Sequence, residues 1–168
     1  MNSLISGNIV RFIVLALGQI IIFNNIHFLG YINPYPYILF ILLFPIKNNR
    51  LLLLFLSFIL GLTMDLFLDS GGVHAAASVF IAYARPIFLK FSFGTMYEHQ
   101  TIKFNVVEFG AKLTYITLLT ILHHIILFTM EIFSVSRIIL ILQNTLFSSI
   151  FTILMCMLLT IIFSSSKK

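Results

Sequence analysis

The chain has 168 residues, of which 60% are hydrophobic and 9% charged, with a formal net charge of +5. Ordinary globular proteins carry about 25% charged residues, so this composition excludes a water-soluble fold of this size. A net charge of +5 would point to nucleic acid in a soluble protein. Here the basic residues are spread between apolar runs, which is how membrane proteins are oriented, so no nucleic-acid partner is expected. Lipid leaves only helices or closed barrels as spanning structures, because backbone groups must pair internally. The apolar runs are long and unbroken rather than alternating, so the expectation is an all-α polytopic bundle of about six transmembrane helices.

In chain order the segments are about Ile9–Phe28, Tyr31–Ile46, Leu51–Leu68, Val73–Phe91, Lys112–Phe133 and Ile138–Phe163. Arg11 precedes the first apolar run as in a secretory signal. No A-x-A-like site follows it, so it reads as a retained first helix. The second segment has 16 residues, with Pro34 and Pro36 near its start and Pro45 at its end. As a helix it would cover about 24 Å against a core of about 30 Å, so it either crosses or turns back. The charges favour crossing. With the N-terminus cytoplasmic, Arg11, Lys47, Arg50, Arg85, Lys90, Lys103, Lys112, Lys167 and Lys168 lie toward one side, and only Arg137 lies on the other. That is the positive-inside pattern, with both termini cytoplasmic. Tyr31, Tyr35 and Tyr37 are then expected at the interface.

The third segment carries Asp65, and an intramembrane acid is a functional candidate by default. The alternative is that Asp65 caps or orients the hairpin that follows. Asp69 and Ser70 have side chains suited to free helix-end groups, and Gly71-Gly72 permits a tight turn. His74 is close enough in sequence to pair with either acid. The stretch reads equally as a well-built hairpin or as an acidic, His-containing docking patch.

The fourth segment contains Ser78-x-x-x-Ala82, a small-residue pair for close helix approach. Arg85 is expected to snorkel toward the cytoplasmic headgroups, because its axial offset from Asp65 is about 12 Å. Pro86 is expected to kink or end its helix. Between segments four and five, Ser92–Ala111 carries Ile102, Phe104, Val106, Val107 and Phe109 and reads as a surface-lying element.

Segment five bears Thr117, Thr120 and His124 on one face, with His123 beside them. Adjacent histidines point about 100° apart on a helix and make poor joint metal ligands, so packed, hydrogen-bonded histidines are expected. Segment six has Asn144, Ser148, Thr152, Cys156 and Thr160 at four-residue spacing, a polar stripe suited to helix packing. No hydrolase, metalloprotease, nucleotide-binding or C-x-x-C motif is present in the sequence, so neither a catalytic set nor a cofactor is expected.

Gly61-Leu-Thr-Met-Asp65, Asp69-Ser-Gly71-Gly72-Val-His74-Ala75, Ile81-Ala82-Tyr83-Ala84-Arg85-Pro86 and Tyr97-Glu98-His99-Gln100 together resemble the MreD family of rod-shape-determining membrane proteins. The resemblance covers about residues 61–100; elsewhere it rests on length and hydropathy. It implies a non-enzymatic scaffold in the bacterial inner membrane that binds MreC. Through MreC it would meet MreB, RodA and a class B penicillin-binding transpeptidase, coupling peptidoglycan synthesis to the cytoskeleton. The outline is also similar to the six-helix substrate-binding subunits of vitamin importers. A small-solute uptake subunit is therefore the second expectation, with Asp65, His74, Thr117, His123 and His124 as a central polar pocket.

Overall fold

The computed structural model describes residues 2–26, 32–46, 49–99, 102, 104 and 107–165. Every regular element among them is a helix: α1 (Asn2–Ile21), a 3-10 turn (Phe23–Asn25), a second 3-10 turn (Pro36–Ile38) leading into α2 (Leu39–Leu42), α3 (Arg50–Leu68), α4 (Val73–Phe93), α5 (Thr95–Glu98), α6 (Phe109–Ile132), a 3-10 turn (Val135–Arg137) and α7 (Ile138–Ser165).

Among the described residues five stretches are long and apolar enough to cross a membrane: Gly7–Asn25, Arg50–Leu68, Val73–Phe93, Phe109–Ile132 and Ile138–Ile162. Their outward faces carry large apolar side chains at high exposure, among them Leu66 at 76%, Phe91 at 73% and Leu51 at 72%. Surfaces of that kind are stable against lipid and unstable in water. The chain therefore has the make-up of a multi-pass membrane protein.

The second segment departs from expectation. Instead of a 16-residue helix, only Pro36–Leu42 is helical. Pro34, Pro36 and Pro45 lack the N–H that a helix interior needs, and each disfavours helical backbone in the residue before it. The segment is nevertheless the most deeply buried stretch among the described residues. Ile32, Tyr37, Ile38, Leu39, Phe40, Ile41 and Leu42 are all 1% exposed or less. Tyr35 and Tyr37 thus lie in the core and not at an interface; Tyr31 falls outside the described residues.

The segment runs antiparallel to α1. Gln19 meets it at Pro34 and Tyr37, whereas Arg11, about 12 Å nearer the start of α1, meets it at Leu43. Residues 32–46 therefore pass through the middle of the bundle as broken chain, screened by the longer helices.

Helix ends follow local chemistry. The side chain of Asn49 accepts from the Leu51 N–H at 2.9 Å and starts α3. Asp69, in the left-handed region at φ 53°, ends it. Gly71 and Gly72, at φ 66° and 97°, complete the reversal. α4 continues through Pro86 to Phe93, so that proline does not end the helix. The connection after α4 packs inward more than a surface-lying element would. Phe104 lies 5.9 Å from Phe93 and 5.8 Å from Tyr115 between ring centroids, and Ile102 and Val107 pack on the core. Phe109 stays 62% exposed, and Val106 lies outside the described residues.

Gly61 sets the closeness of α3 and α4. A Cβ there would lie 2.5 Å from the Ala75 Cα and 2.5 Å from the His74 carbonyl oxygen. Both are backbone atoms that cannot step aside. Gly61→Val should therefore destabilise the protein by about 1–3 kcal/mol or more, read as a lower melting temperature in detergent. Gly71→Ala meets no neighbour within 4 Å, so it should cost only the strain of its left-handed backbone, about 1–2 kcal/mol. A Gly61→Val protein melting above the Gly71→Ala protein would contradict this packing.

Candidate functional site

Two groups of buried polar side chains reach residues 32–46.

The first lies near the α3–α4 turn. The Asp65 carboxylate accepts from the backbone N–H groups of His74 and Ala75, both at 2.9 Å, and from the Ser70 hydroxyl at 2.5 Å. Gly72 precedes α4 without a side-chain cap, so Asp65 of the preceding helix caps α4 across the turn. A carboxylate at a helix N-terminus also complements the helix dipole. This is the capping alternative for Asp65. Asp69 stands apart as the exposed C-cap of α3.

The His74 side chain points elsewhere. Its Nδ1 lies 3.0 Å from the Tyr37 hydroxyl, which also lies 2.8 Å from His123 Nε2. Ser78 donates to the same oxygen at 3.5 Å. One arrangement leaves no proton on the unpartnered His123 Nδ1: His123 donates through Nε2 to the Tyr37 oxygen, and the Tyr37 hydroxyl donates to His74 Nδ1. His123 Nδ1, buried and without a partner, is then an acceptor, which costs less to leave unmatched than a donor.

His124 turns the other way on α6. Its Nδ1 faces the Thr120 carbonyl at 2.7 Å and its Nε2 the Thr152 hydroxyl at 3.2 Å. Thr152 in turn accepts from the Tyr35 N–H at 2.9 Å. The Tyr35 ring lies 5.4 Å from His74 and 5.5 Å from His124. Among the described residues no set of three or more His, Cys, Asp or Glu side chains is arranged to hold a metal ion.

The second group lies about 18 Å along α4, twelve residues beyond Val73. Arg85, 4% exposed, does not snorkel. Its Nε donates to the Tyr115 hydroxyl at 3.0 Å, and its Nη2 donates to the carbonyls of Leu42, at 3.2 Å, and Phe44. Tyr115 donates to the same Leu42 carbonyl at 3.0 Å. Pro86, beside it, is half-buried.

Of the α7 stripe, Ser148, Thr152, Cys156 and Thr160 are buried within this chain, and Asn144 is half-buried. Thr152 among them accepts a hydrogen bond from the broken segment. The sequence reading missed Gln19, which is fully buried, donates to the Pro34 carbonyl at 3.1 Å and accepts from the Tyr37 N–H at 3.3 Å. It is the one long amide inside the first apolar run, opposite a proline pair that must free backbone groups. That was the available signal.

Comparison of this chain with protein-family models, with curated proteins and with solved structures returns no match.

Tyr37→Phe should remove the oxygen shared by two buried rings and cost about 1–3 kcal/mol, seen as a lower detergent melting temperature. Thr117→Val, at a half-buried position outside the network, should change stability by no more than about 0.5 kcal/mol. Equal melting of the two variants would mean the Tyr37 contacts do not hold the core.

Proposed function

We propose that this protein is a non-enzymatic membrane scaffold of the MreD type, acting in the cell-elongation machinery of a bacterial inner membrane. Its partner would be MreC, and through it MreB, RodA and a class B penicillin-binding transpeptidase. The carrying observation is that the space among the central histidines is already filled. The rings of Tyr35 and Tyr37 occupy the space between His74, His123 and His124. A solute-uptake subunit needs that space for its ligand. Here Asp65, His74, His123 and His124 are spent on the protein's own backbone and side chains. With its polar groups turned inward, the molecule offers partners its apolar outer faces and its loops.

The family resemblance supports the same reading. Gly61, Asp65, His74 and Ala75, which carry it, are also the residues that close the α3–α4 hairpin. In this reading residues 32–46 make a sixth, non-helical crossing, and both termini lie in the cytoplasm. The antiparallel course beside α1 and the placement of the basic residues support that topology.

A reporter fused near Lys103 should be active only in the cytoplasm, and activity on the opposite side would overturn the topology. Solubilised protein should co-purify with MreC, and depletion should make rod-shaped cells round. A nutrient requirement with normal shape, or a saturable thermal shift with a vitamin or nucleobase, would favour uptake instead.

A further inference from the structure

Arg85 raises a question that its role in holding residues 42–44 does not answer. A guanidinium 4% exposed inside an apolar bundle is costly unless its charge is compensated. Its hydrogen-bond partners named above are all uncharged: two carbonyls and a phenol. Those bonds use Nε and Nη2, and among the described residues none is made through Nη1. Beside Arg85 is a cavity of about 110 Å³ whose lining includes Arg50, Pro45, Pro86, Leu89 and Tyr97. Among the described residues no acidic one lines it. A water molecule takes up about 30 Å³, so the space is larger than one water needs and suits a tetrahedral oxyanion.

Arg50 stands at the edge of this cavity. It is exposed, and it is steadied by a bond from Nη2 to the Tyr83 carbonyl at 3.0 Å and by the Tyr83 ring 4.8 Å away. The cavity lies at a useful depth. Arg85 is eight residues before the end of α4 at Phe93, or about 12 Å along the axis. That brings it within reach of the headgroup layer at that end of the bundle.

We propose that this cavity binds a phosphate-type oxyanion between Arg50 and Arg85, with Tyr97 as the third polar residue of the site. Arginine suits this ligand because its planar fork matches two phosphate oxygens at once. The anion neutralises Arg85 and ties the start of α3 to the middle of α4. Two sources supply the same chemistry: the phosphodiester of an anionic phospholipid, or free phosphate. The proposal stands independently of the scaffold reading.

The test uses the full-length protein purified in detergent, with melting followed during titration by phosphatidylglycerol, by inorganic phosphate, and by chloride at matched ionic strength. A saturable rise with phosphatidylglycerol alone identifies a lipid headgroup; a rise with inorganic phosphate as well identifies phosphate itself. Chloride should give no saturable rise. Arg50→Gln keeps a side chain able to donate to Tyr83 and leaves Arg85 in place. It should weaken the phosphate response about tenfold or more, as expected for losing a hydrogen bond to a charged group. No saturable response to either phosphate compound, or one that Arg50→Gln leaves unchanged, would overturn the proposal.

Discussion

The fold depends on satisfying the backbone of a chain segment that is not helical in a place where water cannot help. Residues 32–46 contain three prolines and only seven helical residues. An unpaired carbonyl or N–H at that depth costs several kcal/mol. Side chains from four long helices supply the missing partners. Gln19 and Arg11 come from α1, Arg85 from α4, Tyr115 from α6 and Thr152 from α7. Non-helical backbone is tolerated at membrane depth when protein surrounds it, and this segment is surrounded.

That constraint explains why the interior is polar at particular places. The groups near the α3–α4 turn fasten the incoming part of the segment around Tyr35 and Tyr37; the arginine group fastens the outgoing part around Leu42 and Phe44. Between them Phe40 packs edge-on against Phe12 of α1 and against Phe44. α3 takes little part in this polar network. It is joined to α4 by close backbone approach at Gly61 and by the Asp65 cap. The bundle thus uses two kinds of adhesive, and each belongs to a different set of helices.

Much of this was legible in the sequence, for identifiable reasons. Hydropathy reports the solvent around a segment, so α3, α4, α6 and α7 emerged within about three residues, whereas α1 begins and ends seven residues before the expected first segment. Asp69 and Gly71-Gly72 marked the α3–α4 reversal by chemistry that needs no partner from elsewhere in the fold. Hydropathy does not report conformation, and there the second segment misled. Its apolar residues are buried by protein, and its prolines, not its length, decided its shape. The same gap misplaced Tyr35 and Tyr37, because an interfacial tyrosine and a core tyrosine bonded to histidine look alike in one dimension. Arg85 was misread for a related reason. Snorkelling is the cheap solution for an isolated helix, but carbonyls freed on another segment made inward burial possible.

The same contacts limit what the interior can do besides hold itself together. Seven hydrogen bonds run from side chains to the backbone of residues 34–44, and opening a central chamber would break several at once. Each buried group left unpaired costs about 1–3 kcal/mol, so a ligand that displaced Tyr35 and Tyr37 would have to replace much of that network with its own polar atoms. A partner bound on the outer apolar faces faces no such demand, since it exchanges lipid contacts for protein contacts. On energetic grounds, then, binding on the outer faces, or in the cavity beside Arg85, leaves in place the segment that holds the helices together, whereas binding among the histidines does not.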